Sequence, residues 1–253
     1  MEPMPSANFL WDQVCIVTGS ARGIGKEIVL TLARQGARVV INYRTSEAAA
    51  LALSGQIHDL GRECLTVRAD VSRPEETQRL IEETFHRWGR IDLLVHNAGP
   101  FALKPLADTS IEEWQELIAG NLHSAFYCAK YALPLLREQG RGHLIFIGSI
   151  KADSLRARHH ACPYGIAKTG IVLMAKTLAR EEGHHGIRAN VINPGAIEGG
   201  WATEARREWL LNQIPLGRLG TPADIAGAVL FLHSPQGSYC NGAVINLDGG
   251  LWL

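Results

Sequence analysis

Tyr164 and Lys168 stand four residues apart in Tyr164-Gly165-Ile166-Ala167-Lys168, a spacing that puts both side chains on one face of a helix. A phenol and an ammonium so placed can address one bound molecule together. The cation favours phenolate and brings the phenol's pKa toward values useful for proton transfer. Tyr and Lys at this spacing are also common on solvated helix faces, so the pair gains meaning only from the elements that position it. His159-His160-Ala161-Cys162 has the residue types of a metal site, but spacing places no further ligand and no metal is read from it.

The positioning elements begin with a short apolar run, 13–18, followed at once by Thr18-Gly19-Ser20-Ala21-Arg22-Gly23-Ile24-Gly25 and a helical pattern. Strand, glycine-rich turn and helix can bring backbone N–H groups to a pyrophosphate at the helix N-terminus. Gly19 permits the tight turn, and Gly23 and Gly25 permit close approach. The next apolar run, 37–44, suits a buried parallel strand and ends Asn42-Tyr43-Arg44, with no Asp or Glu until Glu47. An acid there would accept from an adenosine ribose, whereas a basic residue suits a 2'-phosphate. Arg44, with Arg22 in the glycine-rich loop, therefore favours NADP over NAD.

The alternation continues. A helix over 46–60 leads to a third strand closed by Asp70 and Val71, and helix 74–88 leads to a fourth at 91–99, which carries Asn97, Ala98 and Gly99. Helix 110–138 carries Asn121, and strand 143–149 ends in Ser149. The Tyr164 helix, about 163–182, leads to strand 186–195, where Pro194 and Gly195 turn the chain across the nicotinamide end. The segment 196–213 reads as a substrate-covering helix pair, 222–233 as a further helix and 242–250 as a seventh strand. Strands alternating with helices imply an α/β fold, a right-handed parallel sheet doubly wound with helices on both faces. Ligand then binds beyond the strand C-terminal ends.

The 253 residues fit a single domain, 1–253, with residues 1–12 as an N-terminal extension. Lys+Arg and Asp+Glu balance at 25 each, which points to neither a nucleic-acid nor an anionic-membrane surface. No apolar run is long enough to span a bilayer, and the start has no cationic segment followed by an apolar one. A cytoplasmic protein is expected. Five scattered cysteines, Cys15, Cys64, Cys128, Cys162 and Cys240, form no Cys-x-x-Cys pair and read mostly as buried thiols.

With TGSARGIG, HNAG, Asn121, Ser149, YGIAK and NPG in order, the chain resembles the classical short-chain dehydrogenase/reductase family over essentially its whole length. The resemblance implies a seven-stranded Rossmann sheet and a catalytic tetrad on Asn121, Ser149, Tyr164 and Lys168. Tyr164 would deliver the proton, Ser149 would orient the carbonyl, and Lys168 would hold the nicotinamide ribose and depress the pKa of Tyr164. Asn121 would anchor a water linking Lys168 to solvent. Contacts to the cofactor, NADP(H), would come from Gly19, Ser20, Arg22, Gly23, Ile24, Gly25, Tyr43, Arg44, Asp70, Val71, Asn97, Ala98, Gly99, Tyr164, Lys168, Pro194, Gly195 and Ile197.

Three positions depart from the family pattern: His96 replaces the first Asn of Asn-Asn-Ala-Gly, Gly199 stands where a Thr is common, and the loop between Ser149 and Tyr164 is enlarged. Arg156, Arg158, His159 and His160 of that loop would sit at the mouth of the site and could attract an anionic substrate or carrier. The nearest subgroup is the 3-oxoacyl-[acyl-carrier-protein] reductases, which implies NADPH-dependent reduction of a 3-oxoacyl thioester or related ketone. A sugar, polyol, pteridine or steroid enzyme of the same family is the alternative. A protein that binds NADP(H) without turnover is the different-class alternative. For an acyl carrier protein the chain offers only Arg141, His184 and His185. A homotetramer is expected, partly from the resemblance and partly because helices 110–138 and 163–182 are apolar on more than one face (Leu117, Phe126 and Leu133; Ile171, Met174 and Leu178).

Overall fold

A computed structural model describes residues 8–199 and 202–252. Seven strands form one sheet: β1 (Val14–Val17), β2 (Arg38–Tyr43), β3 (Cys64–Arg68), β4 (Leu93–His96), β5 (Gly142–Ile147), β6 (Ile187–Pro194) and β7 (Val244–Leu247). Their order is β3-β2-β1-β4-β5-β6-β7, with every pairing parallel. The period-2 geometry of a strand sends alternate side chains to opposite faces. Cys15 and Val17 thus join one core with Val39, Ile41, Leu93 and Val95, while Ile16 joins the other with Val40, Leu94 and Phe146. Both faces are buried, so the central strands read as unbroken apolar runs.

The first core is covered by α1 (Gly23–Arg34), α2 (Glu47–Asp59) and α8 (Pro222–His233), and the second by α3 (Pro74–Trp88), α5 (Ser124–Gln139) and α6 (Cys162–Glu182). Each fully buried Ile, Leu or Phe on these faces contributes about 1.5–3 kcal/mol. α3 starts with Pro74 in its first turn and stops at Gly89, φ +70°, a start and stop that local chemistry dictates. α8 starts from a capping box in which Thr221 and Asp224 satisfy each other's backbone N–H groups. A small third cluster joins α7 (Glu204–Gln213) to Ile214 and Leu219.

Four expectations change. The 110–138 helix is three pieces: α4 (Ile111–Ile118), a π-turn Ala119–His123 and α5. The 196–213 segment holds one helix, α7, rather than a pair among its described residues, Gly200 and Trp201 lying outside them; Ile197 makes a single bridge to Gly220. The described part of the 1–12 segment packs on the fold: Leu10 is fully buried and its N–H donates to the Gln35 carbonyl at 3.0 Å. Residues 1–7 lie outside the described residues. Of the five free thiols only Cys15 and Cys128 are buried, and the others are half-buried. Among the described residues no helix is long and apolar enough to cross a membrane.

Candidate active site

The sheet order reverses between β1 and β4, and a ligand crevice is expected outside the carboxyl ends of those strands. The turn after β1 is built from left-handed glycines, Gly19 at φ +61° and Gly23 at φ +57°, where a Cβ would be strained. Short polar side chains lock it. Gly19 N–H donates to Asn42 Oδ1 at 3.0 Å, Asn42 N–H to Ser20 Oγ at 3.1 Å, and Asn97 Nδ2 to the Thr18 and Gly19 carbonyls at 3.0 and 3.2 Å. Thr18 Oγ1 accepts from the N–H groups of Asn97 and Ala98. A Cβ on Gly25 would come within 2.6 Å of Asn97 Nδ2 and 2.7 Å of the Gly19 carbonyl. Ser20 and Gly25 are accordingly buried parts of the turn's frame.

α1 begins at this turn with no side-chain cap and no acidic residue in its first turn. Its first N–H groups are open to an anion, and the helix dipole favours one there. The adjoining cleft of about 530 Å³ is lined by Gly19, Arg22, Gly23 and Ile24 on the α1 side and by Tyr43, Arg44, Asp70 and Val71 beyond β2 and β3. Asn97, Ala98 and Gly99 close it beside β4. Arg22 and Arg44 are exposed at its edge. Arg44 Nη1 lies 3.6 Å from Asp70 Oδ2. Burial works to raise the Asp70 carboxyl, but the Ser72 hydroxyl and N–H, with Arg44 and Arg73, hold it below its ordinary value. Glu47, the first acid after β2, is hydrogen-bonded to the Tyr43 phenol.

The second group of residues converges past β5. Ser149 follows the strand by two residues, and its N–H donates to Asn193 Oδ1 at 3.1 Å. Tyr164 lies in the first turn of α6, its hydroxyl hydrogen-bonded to Ser149 and its ring edge-on to Phe101 at 5.0 Å. Lys168, one turn on, is buried; its Nζ donates to the Ile147 carbonyl at 2.7 Å and sits 5.7 Å from the Tyr164 ring.

The electrostatics differ from expectation in one respect. Burial brings Lys168 down to about 7, so near neutral pH its charge is only partly present. Burial raises the Tyr164 phenol above its ordinary value, opposed by the Ser149 hydrogen bond and then by the charge of Arg158. Arg158 is thus a cation acting on Tyr164 from the enlarged loop, beside Lys168 Nζ at 5.7 Å from the ring. Arg158 turns inward from the enlarged loop, whereas Arg156, His159 and His160 are exposed. Among the described residues no three His, Cys, Asp or Glu side chains gather as a metal site would require.

Asn121 occupies the π-turn, where the widened backbone lets its Nδ2 donate to the Leu117 and Pro100 carbonyls, each at 2.9 Å. Its Oδ1 is buried without a partner, and a Cβ on Gly99 would fall on that oxygen. A buried carbonyl oxygen left unpaired costs about 1–3 kcal/mol unless something donates to it, and a water is the simplest donor. His96 is fully buried, with Nε2 2.8 Å from Ser124 Oγ. Burial first, and then the Lys168 charge, lower it to about 3, so it is a neutral strut.

Not every expected cofactor residue lines the cleft. Tyr164 and Lys168 lie beyond its described wall, at the reaction end. The Pro194 carbonyl accepts the Ile150 N–H at 2.9 Å, and Gly195 packs on Asp248, where a Cβ would come within 2.6 Å. Ile197 is buried in the first core. Pro194 and Gly195 tie the end of β6 to Ile150 after β5 and to Leu247 of β7. Sequence reasoning passed over Asn42, whose signal is a polar residue in an apolar strand, and Phe101. The residues offered for an acyl carrier protein, Arg141, His184 and His185, are not beside the site. Arg141 immediately precedes β5 and His185 nearly abuts β6, so all three lie at the amino ends of the strands, opposite the site.

The family model described as Enoyl-(Acyl carrier protein) reductase matches residues 19–252. A 3-oxoacyl-[acyl-carrier-protein] reductase of Synechocystis sp. is 37% identical over 240 residues, covering 94% of this chain and 96% of the relative. An L-rhamnose 1-dehydrogenase (NAD(P)(+)) of Sphingomonas sp. is 32% identical, covering 94% and 95%. Among solved structures, a 7α-hydroxysteroid dehydrogenase complexed with NADH and 7-oxo glycochenodeoxycholic acid superposes with a TM-score of 0.92 at 31% identity, over 98% of each chain. A blue fluorescent protein from a metagenomic library, in complex with NADPH, superposes with a TM-score of 0.90 at 32% identity, over 96% of this chain and 99% of that one.

Proposed function

We propose an NADPH-dependent ketone reductase, from the premise that the chain belongs to the short-chain dehydrogenase/reductase family of oxidoreductases. The observation that carries the reading is the juxtaposition, at one edge of the sheet, of the open α1 N-terminus and the Ser149–Tyr164 pair. The cofactor fits the residues present. The uncapped N–H groups after Gly19 would hold its pyrophosphate, and Arg22 and Arg44 would hold a 2'-phosphate where β2 ends without a free acid. Val71 and Asn97 line the cleft and would contact the base and ribose. When bound, the nicotinamide would supply the hydride for the carbonyl carbon.

The remaining work falls to the chain. Ser149 Oγ hydrogen-bonds the carbonyl and orients it, and Tyr164 gives its proton to the oxygen as negative charge develops there. Lys168 would hold the nicotinamide ribose, and the unpartnered Asn121 Oδ1 would anchor a water that returns protons toward Lys168. Phe101 packs edge-on against the Tyr164 ring.

The preferred substrate is a 3-oxoacyl thioester, as in the Synechocystis relative. With Arg141, His184 and His185 at the wrong end of the sheet, a free thioester suits this surface better than one borne on an acyl carrier protein. The rhamnose and hydroxysteroid enzymes among its relatives favour a sugar or steroid carbonyl as the second reading. Phe126 on α5, with Ile166 and Leu173 on α6, are apolar and about half or more exposed, which supports assembly through these helices into a homotetramer. The fold works as a single domain in the cytoplasm. NADPH and NADH oxidation with acetoacetyl-CoA and a panel of sugars, steroids and quinones tests the reading. NADPH-selective turnover of the thioester supports it, activity on another carbonyl discards the substrate, and tight NADPH binding with no turnover favours a non-catalytic NADP(H)-binding protein.

A further inference from the structure

The enlarged loop after β5 sends one side chain back into the site. Arg158 Nη2 donates to the Ile150 carbonyl at 2.8 Å, and Nη1 reaches Ser149 Oγ at 3.5 Å. The chain lies over Gly165, where a Cβ would collide with Arg158 Cδ, so the residue after Tyr164 must be small for the guanidinium to hold this place. Among the described residues no carboxylate lies within ion-pair distance of Arg158. The nearest acid along the loop, Asp153, is engaged by Asn246 Nδ2 at 3.0 Å. A half-buried, unpaired guanidinium is costly unless charge develops beside it.

We propose that Arg158 is a positioning residue for ketone reduction: seated over Gly165 and tied to the Ile150 carbonyl, it steers Ser149 Oγ and fixes a positive charge beside the oxygen that receives the Tyr164 proton. The inference rests on the reductase reading above. Burial takes Lys168 to about 7 in the free protein, so its charge varies across the working range, whereas a guanidinium stays protonated throughout it. The groups facing the Tyr164 phenol are Ser149 beyond β5, Lys168 on α6, Phe101 beyond β4 and Arg158 on the loop. Lys151, Arg156 and Asp153 lie further out along the same loop and act on Arg158 and one another. Their net charge is positive, which reinforces the same field.

The test compares Arg158→Met, Arg158→Lys and Gly165→Ala with the wild type, using the ketone it turns over fastest. Arg158→Met lowers kcat by about tenfold to a hundredfold while NADPH affinity, read by cofactor fluorescence, stays within about twofold. The phenol titration, taken as the ultraviolet difference against Tyr164→Phe, moves to higher pH in Arg158→Met, and the pH profile of kcat moves with it. Added guanidinium restores part of the rate, and Arg158→Lys keeps part of it. Gly165→Ala, which displaces the guanidinium without removing its charge, reproduces the loss. An active wild type with unchanged kcat and titration in Arg158→Met overturns the role alone. A KM rise confined to ketones that carry a carboxylate also overturns it, making Arg158 a substrate contact. A wild type inert toward every ketone removes the reductase reading and this role together.

Discussion

The two ends of the site are made in different ways. At the nucleotide end, between β1 and β4, the working surface is backbone: left-handed Gly19 and Gly23, the uncapped start of α1, and hydrogen bonds among Asn42, Ser20, Thr18 and Asn97 that hold the turn open. At the reaction end, past β5, the working surface is side chain, and its properties follow from burial: a lysine brought to about 7, a tyrosine pushed up, and an arginine turned in onto Ser149 and the Ile150 carbonyl. The first end is specified by which residues lack a Cβ. The second is specified by what surrounds groups that could sit anywhere. Damage should therefore be steric at one end and electrostatic at the other.

The largest effect that would break this contrast is at the nucleotide end. Gly25→Val puts branched carbons where Asn97 Nδ2 and the Gly19 carbonyl already lie. It should destabilise the fold by about 1–3 kcal/mol and weaken NADPH binding by more than about a hundredfold, measured by thermal unfolding and fluorescence titration. A fully functional variant would show that the turn is not built by close contact. Next in size is Arg44→Glu. It removes the exposed cation and places an acid where β2 ends, so the ratio of kcat/KM for NADPH over NADH should fall about tenfold to a hundredfold, or 1.4–2.8 kcal/mol. An unchanged ratio would assign cofactor choice to Arg22 alone.

Two pH effects sharpen the reaction end. His96 is held near 3 when folded and returns to about 6.5 when unfolded. Between those values the unfolded chain takes up a proton that the folded chain refuses, so stability falls as pH drops through this window. At pH 5 the loss is about 2 kcal/mol. His96→Asn should flatten that part of the acid denaturation curve, and a curve of unchanged slope would contradict the burial account. The smallest effect is on Lys168. In the free protein it loses its proton as pH rises through about 7, whereas bound phosphates and ribose favour the charged form. NADPH binding at pH 8 should then take up part of one proton, read by calorimetry in two buffers of different ionisation enthalpy. Proton release would reverse the sign and refute the assignment.

Much of this was legible in the sequence, for local reasons. Helices 74–88 and 222–233 can be bounded to the residue because Pro74, Gly89 and the Thr221–Asp224 box act within one turn of chain. The glycine-rich turn is legible because its geometry demands particular residues. The π-turn at Ala119–His123 is not, since only contacts from Asn121 to Pro100 and Leu117 favour it over a regular helix. Nor is the weakened charge of Lys168, which depends on how completely the surrounding elements exclude water. The inward turn of Arg158 depends on Gly165 and the Ile150 carbonyl together. By contrast, the position of Arg141, His184 and His185 could have been read at once: residues that enter a strand lie at the end of the sheet away from ligand.

The central claim is that Tyr164 gives the proton in an NADPH-dependent reduction. Wild type and Tyr164→Phe should be compared by NADPH oxidation with the wild type's best ketone and by NADPH binding in the same buffer. The account predicts a turnover loss of about a hundredfold to ten-thousandfold with cofactor affinity changed by no more than a few-fold. Equal turnover in the two proteins would contradict it, and so would loss of NADPH binding in step with loss of rate.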